Sequence, residues 1–559
     1  MKSLRIIYHI VRADFYERFR RYNVLIIIGL TIFITALYLP PQGVGRLSFN
    51  VGGYRGVYNS AWVGAIVSVL TVIFMSLPGF YLVKNAISRD EHTGVGQIIA
   101  TTSLSKFQYI LGKLISNWVF LAAIAGVAML SAMGIQLLRG EVLKISVFEY
   151  LFPYLLLTLP MMALIAAVAI LFESIRWLRG GAGNVIFFFL FLMSYWLMAA
   201  LTFVVLPMSM RTGSPSNAWI PEPSGAMEVF RSISYAGMKL VPGYQGGLDL
   251  GNPFQVYGSI NTFVWDGIEW STPVILGRLL WIGVALGIAF LASSLFDRFD
   301  PVNLTIHVRE EEMFSRFESD SQFAQPPSVV SQSISLSKTV SHGSRIGVFL
   351  YIIENEFHLM LKGRRWWWYM VAMGLILAAS FLTINESRQI LLPFAFVWPL
   401  LIWSQLGNRE IQNRTDQLVF SAAFPLRRQL MASWTAGFIL SLIAGSGVMI
   451  RLILAGEFNY ILSFIVAAAF IPALALALGV WSEGSKSFEV VYLLLWTLGP
   501  MNQMMAALGF PMVAEQLATF DYLGSSDAAI NSGMPLYYAV FTILLLVAAI
   551  VGRKRQLQV

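Results

Sequence analysis

Long apolar runs separated by short charged intervals repeat along the chain. An α-helix rises about 1.5 Å per residue, so a hydrocarbon core of about 30 Å is crossed by roughly 20 apolar residues. Twelve stretches satisfy that length: 23–40, 61–83, 112–137, 150–172, 183–206 and 272–296, then 366–384, 389–407, 430–454, 460–482, 487–512 and 534–552. The pattern predicts an all-α integral membrane protein with 12 transmembrane helices. The opening 23 residues carry charges inside every short apolar run and are followed by no small-residue cleavage site, so they read as part of the mature chain and not as a signal peptide.

The pattern breaks at residues 298–345, where "SDSQFAQPPSVVSQSISLSKTVSHGS" is rich in Ser, Gln and Pro and reads as a cytosolic linker. Six spans precede it (1–297) and six follow it (346–559), and the two sides resemble one another. "IVRADFYERFRR" before the first span matches "IIENEFHLMLKG" before the seventh, with Asp14 and Phe15 against Glu356 and Phe357. "ISRDEHTGVGQIIATTSLSKFQYILGK" (87–113) has a counterpart in "GNREIQNRTDQLVFSAAFPLRRQL" (407–430), with Arg89 and Asp90 against Arg409 and Glu410, and Gln97 against Gln417. Two pseudo-symmetric, parallel six-helix halves follow, because an even number of spans returns the chain to its starting side. A Pro- and Gly-punctuated external loop, 207–271, has no equally long counterpart in the second half.

Composition then fixes the sidedness. Of 559 residues, 57% are hydrophobic and 12% charged, far from the usage of a water-soluble domain. Assigning loops to alternate sides places about 28 of the 38 Lys and Arg residues on the side of the termini, which makes that side cytosolic. The net charge of +8 is thus a topological signal; no nucleic-acid module is visible. Cysteine is absent, which excludes disulfides and thiolate metal sites.

The charges of 87–113 interrupt an apolar context and need an explanation. Ser88 with Glu91, and Ser105 with Gln108, have the spacing of helix capping boxes. Gly94 and Gly96 permit a reversal between them, while Val95, Ile98 and Ile99 supply one apolar face, which predicts a short interfacial helix or pair of turns.

The run Glu91, Thr93, Gly94, Ile98, Ile99, Thr101, Thr102, Ser103 and Lys106, closing on "YILGK", resembles the ABC-2-type transporter permeases. That resemblance implies an amphipathic connecting helix at 1–22 and a coupling region at 84–108 that docks on a cytosolic ATPase subunit, with a second coupling region at 407–429. By the same resemblance Arg89, Asp90, Glu91, Thr93, Gly94, Arg409, Glu410 and Arg414 would contact the ATPase. Arg12, Asp14, Phe15, Arg18, Glu354, Glu356, Phe357 and Arg364 would brace the connecting helices. The second half departs from the pattern: Glu410 sits one place from the expected acid, no Thr-Gly follows, and "FPLRR" replaces the small polar cluster.

No phosphate-binding GxxxxGK[ST] loop is present, and "GSKS" (484–487) and "RGGAG" (179–183) lack its spacing. The resemblance therefore implies two separate ATPase subunits that carry ATP and magnesium, a chain with no cofactor and no catalytic site of its own, and a bacterial cytoplasmic (inner) membrane location. The five histidines, His9, His92, His307, His342 and His358, form no motif with metal-ligand spacing. The expected activity is export of a hydrophobic or amphipathic substrate. An ion-gradient transporter with twelve spans, or an ATPase-coupled scaffold that moves no small molecule, stays open; the first is disfavoured because Arg176, Arg451, Glu457 and Glu483 fall near span ends. A substrate path would use Phe187, Phe188, Phe189, Met501, Asn502, Gln503 and Met504, soft apolar surface with two amides, although helix packing accounts for the same residues.

Overall fold

The computed structural model describes residues 2–20, 22–43, 45, 47–194, 222–244, 249–250, 260–297, 299, 345–413, 415, 425–508 and 520–556. These fall into two compact units, Met1–Val330 and Ser331–Val559. Helices dominate both; the described strands are four, each of two or three residues.

In the first unit α1 (Lys2–Phe19) leads into α2 (Tyr22–Tyr38), and the pair turns by 79° between Phe19 and Val24. After β1 (Phe49–Asn50) and β2 (Tyr54–Gly56) come α3 (Ser60–Val83), the short α4 (Ala86–His92) and α5 (Val95–Thr101), and α6 (Lys106–Arg139). A further long helix follows as α7 (Val147–Pro153), a π-turn at Tyr154–Thr158, and α8 (Leu159–Ser174). Then come α9 (Gly181–Ser194), α10 (Ala226–Leu240), β3 (Asp249–Leu250), β4 (Asn261–Phe263) and α11 (Thr272–Leu295). In the second unit we number α12 (Arg345–Leu361), α13 (Trp366–Ala378), α14 (Leu392–Val397), α15 (Leu400–Trp403), α16 (Arg409–Gln412), α17 (Pro425–Ala444), α18 (Ser446–Ala455), α19 (Phe458–Ser482), α20 (Lys486–Trp496), α21 (Asn502–Ala507), α22 (Asp527–Asn531) and α23 (Met534–Gln556).

The apolar helices make this an all-α, multi-pass membrane protein. Six described helices are long and apolar enough to cross, and eight spans result if the bent pairs α1–α2 and α17–α18 (66°) each count once. Twelve are expected from the sequence, and the differences have local causes. The stretch 366–384 yields a helix of 13 residues. Residues 389–407 are divided at Trp398–Pro399 into α14 and α15. The stretches 183–206 and 487–512 run into residues outside the description. Each π-turn, at 154–158, 387–391 and 497–501, lies within two residues of a proline: Pro153 and Pro160, Pro393, and Pro500. A proline has no N–H to donate four residues back, so the helix widens locally.

The same packing scheme recurs. In the first unit α6 lies on α1, α3 and α8, and α8 lies on α11; in the second α17 lies on α12 and α19, and α19 lies on α23. Small residues allow the close approach: Ala163, Ala166, Ala167 and Ala169 of α8 and Ala285, Ala289 and Ala292 of α11 are all buried. Side-chain bonds repeat too. Trp118 Nε1 donates to the Leu159 carbonyl (3.0 Å), and Trp434 Nε1 to that of Ala469 (3.2 Å). Arg139 Nη1 caps the end of α2 through the Ala36 (3.0 Å) and Leu39 (2.7 Å) carbonyls, and Arg451 Nη1 caps the end of α13 through those of Ala379 and Leu382. Free carbonyls at a helix end attract a cation, so both arginines complete an element that hydrocarbon would otherwise penalise.

The end of the first unit opposite α4 is closed by the strands. β1 pairs antiparallel with β3 and β2 parallel with β4, around Trp62, Phe263 and Trp265. Arg55 there forms an ion pair with Glu141 (2.5 Å) and lies over the Tyr58 ring. In the second unit the segment 520–526 is folded on Asp521, whose carboxylate accepts from Ser525 N (2.6 Å), Ser525 Oγ (2.8 Å) and Leu523 N (3.2 Å).

Two predictions follow from this packing. Replacing Ala289, which is fully buried against α8, by leucine should cost about 1–3 kcal/mol by forcing the two helices apart. Leu286→Ala, on the exposed face, should leave the melting temperature of the purified chain nearly unchanged. Burial pushes the Asp521 carboxyl up to about 6. An unfolded aspartate titrates near 3.9, so the folded protein holds a proton between pH 4 and 6 that the unfolded chain releases. Stability from this group therefore falls as pH rises through about 4 to 6. Thermal unfolding at pH 4.5 and pH 7 should show that slope in the wild type and a shallower one in Asp521→Asn.

Candidate functional site

The region that the sequence singles out is where α1, α4 and α6 meet. Helix α3 ends at Lys84, and Asn85 takes a left-handed conformation (φ +79°) that turns the chain into α4. The expected Ser88–Glu91 capping box does not form, because α4 begins earlier, at Ala86. Its N-terminus is capped from outside by Glu173 at the end of α8. The Glu173 carboxylate accepts from the backbone N–H groups of Asn85 (2.6 Å), Ala86 (3.0 Å), Ile87 (2.6 Å) and Ser88 (3.4 Å). An anion on a helix N-terminus satisfies orphan donors and the helix dipole together. Lys84 ties the same corner to the next segment through the Leu178 (3.0 Å) and Gly180 (3.3 Å) carbonyls and Asn184 Oδ1 (2.6 Å).

Helix α4 stops at Gly94, whose φ of +75° permits the reversal into α5. The second expected capping box is present: Ser105 Oγ accepts from Gln108 N (3.2 Å) and Gln108 Oε1 from Ser105 N (3.1 Å).

The charges of α4 face two ways. Arg89 reaches α1, pairing with Asp14 and Glu17, each at 3.3 Å. Asp90 is buried and pairs with Lys113 Nζ of α6 (2.7 Å) while accepting from the Tyr109 hydroxyl (2.8 Å). Lys113 Nζ also holds both Asp14 oxygens (3.1 and 2.9 Å), so one ammonium joins α1, α4 and α6. Arg18 of α1 extends the contact by donating to Asn117 Oδ1 (2.5 Å) and lying over the Phe120 ring. Glu91, by contrast, is exposed, with Arg179 at 3.2 Å. Thr93 is exposed and bonds back to the Arg89 carbonyl (2.9 Å), and the apolar side chains of Val95 and Ile98 stand in the open.

The second unit repeats the clamp. Arg409 of α16 pairs with Glu356 of α12, as Arg89 does with Asp14. Glu410 is buried like Asp90, but its cation is Arg553 (3.2 Å), from the last turn of α23; Gln429 of α17 donates to its other oxygen (3.2 Å). Arg414 lies outside the described residues.

The remaining candidates fall apart from the clamp. Arg12 is exposed and lies over the Tyr16 ring; Phe15 stacks on Phe19 at 4.3 Å. Glu354 is exposed beside His358, Phe357 is half-buried, and Arg364 Nη2 reaches the Leu401 carbonyl at 3.5 Å. Phe187 stacks flat on Phe80 of α3 at 3.6 Å and Phe188 is fully buried, so both pack the inside of the first unit, whereas Phe189 is exposed. Met501, Asn502, Gln503 and Met504 are all buried, and Asn502 Nδ2 has no partner among the described residues.

What this arrangement can do is mechanical. Ions moved out of water are stable only when paired and hydrogen-bonded, so the clamp resists separation of its helices. Comparison of the chain with protein-family models, with curated proteins and with solved structures gives no match.

Lys113→Met should leave Asp14 and Asp90 buried without their shared cation and cost about 3–5 kcal/mol. Exchanging the charges of the corresponding pair of the second unit, Glu356→Arg with Arg409→Glu, which shares no further cation among the described residues, should recover part of the loss seen in either single variant. Denaturant unfolding of the four proteins yields that coupling directly.

Proposed function

We propose that the chain is the membrane permease of an ABC-2-type exporter, with twelve spans in two six-helix halves, driven by two separate cytosolic ATPase subunits. The observation that carries this reading is the repeated clamp. In each unit a charged helix before the first apolar helix is ion-paired to the short helix that leads out of the second apolar stretch, through Asp14–Arg89 and Glu356–Arg409. That geometry suits a joint that receives force from outside the bilayer and passes it to several helices at once.

On this reading α4, α5 and α16 lie on the cytosolic face of a bacterial inner membrane, as do both termini. The docking surface is the outward side of α4 and α5: Glu91, Thr93, Val95 and Ile98, all exposed. Arg89, Asp90 and Glu410 serve inside the clamp and position that surface. ATP and magnesium reside on the partner subunits, and ATP acts because its bound and free states favour different permease conformations. The chain itself performs no catalysis. The cargo is hydrophobic or amphipathic.

Purification of the tagged chain from its native membrane in mild detergent tests this directly. Two ATPase subunits should accompany each permease. Glu91→Arg with Ile98→Asp should reduce recovered ATPase about ten-fold, a change of about 1.4 kcal/mol, without lowering the melting temperature. Recovery of a lone chain, under conditions that keep a known membrane ATPase complex together, overturns the reading.

A further inference from the structure

Each unit also fastens the end of its last helix to the segment that follows its second apolar stretch, and does so with different chemistry. In the first unit α11 ends at Leu295, and Phe296 stacks on the Tyr109 ring at 5.4 Å while Phe299 meets that ring edge-on at 5.5 Å. Phe299 is buried and lies against α5 at Gly96, where a Cβ would stand only 2.7 Å from its ring. Tyr109 in turn holds Asp90 of α4 through its hydroxyl. In the second unit Arg553, in the last turn of α23, donates to Glu410 Oε2 (3.2 Å) and to the Gly407 carbonyl (3.3 Å), and Gln556 Nε2 donates to the Val480 carbonyl (2.7 Å).

We propose that Phe299 and Arg553 are positioning residues that hand the movement of α5 and α16 to the last helix of their own unit. The inference rests on reading α4–α5 and α16 as the places where an ATPase acts. Two observations favour α11 and α23 as the moving parts. Among the described residues their apolar stretches are the least enclosed of the six unbent crossing helices, with 28% and 11% buried against 78% for Ser60–Glu91, so few helices besides their main neighbour hold them in place. Each also packs on a single long neighbour, α8 or α19, more than on any other helix, and a rigid helix of 24 residues carries a displacement over about 36 Å.

The chain contains no cysteine, so labels can be introduced without removing a native one. Spin labels at Leu130→Cys on α6 and Leu276→Cys on α11, both exposed, report the far end of α11. In the ATPase-bound complex, ATP should change their separation. Phe299→Ala should keep the ATPase bound and hydrolysing but lose that change, and Phe299→Tyr should restore it; for labels on α23, Arg553→Lys, which keeps a cation on Glu410, should retain the change, and Arg553→Gln should lose it along with part of the stability of the second unit. In the permease alone, Phe299→Ala should raise hydrogen exchange in α5 and in the last turn of α11 about ten-fold, together. An unchanged α5 exchange rate, or an undiminished ATP response in Phe299→Ala, overturns the proposal. Absence of any ATPase from the wild-type complex overturns the permease reading instead, and the exchange experiment still decides whether Phe299 fastens the two elements.

Discussion

A charge beside hydrocarbon needs a partner, and much of this architecture is organised by where each partner comes from. Lys113 is the clearest case. It is 2% exposed, on a helix whose apolar length crosses a membrane, and it is tolerated because Asp14 and Asp90 arrive from two other helices. Removing any one of the three leaves the others with an unpaid desolvation cost, so the ion pairs fix the positions of α1, α4 and α6 jointly. Glu173 works by the same rule with backbone dipoles as its partners: four N–H groups of a helix start converge on one carboxylate. At the other ends of the bundles Arg139 and Arg451 apply it with the sign reversed.

The apolar contacts then decide how far a constraint reaches. Buried alanines along α8, α11, α19 and α23, with Gly552 of α23 against Val480 and Trp481, bring backbones close, so these helices pair along much of their length. Proline-linked π-turns do the opposite, interrupting the helices at 154–158, 387–391 and 497–501 and leaving places where a span can flex. A stiff, clamped end and a segmented middle are complementary properties: the ion pairs hold α1, α4 and α6 together, and the π-turns interrupt the apolar helices away from them.

Much of the helical layout was legible in the sequence, because an apolar run of sufficient length has few alternatives to a helix in hydrocarbon. Ser60–Val83, Lys106–Arg139, Val147–Ser174, Thr272–Leu295, Phe458–Ser482 and Met534–Gln556 all overlap stretches marked by composition alone. Part of the shortfall in continuous helices traces to proline, as at Pro399 between α14 and α15, since hydropathy does not register a missing N–H; the 13-residue α13 and the bend between α17 and α18 have no proline at their break. The repeat was legible through Asp14, Arg89, Glu356 and Arg409, whose pairing needs only that matching residues occupy matching places. The bonds that anchor their neighbours were not. Glu173, Lys84 and Arg553 lie more than 80 residues from the groups they satisfy, and no local spacing announces such a bond.

The two readings of Asp90 show where sequence pattern and geometry separate. In the sequence it belongs to a polar cluster between apolar runs, and such clusters are usually solvated. In the structure the cluster divides: one face of α4 turns Arg89 and Asp90 inward onto α1 and α6, and the other leaves Glu91 in the open. Adjacent residues on a helix point about 100° apart, so three consecutive charges cannot all serve one surface. The inward pair sets the orientation of the helix, and only then does the outward residue have a defined direction. Glu410 follows Asp90 in being buried, yet draws its cation from α23, whereas Asp90 draws its own from α6. The two halves therefore retain the same requirement, a paired acid at the root of the joint, while meeting it from different parts of the chain.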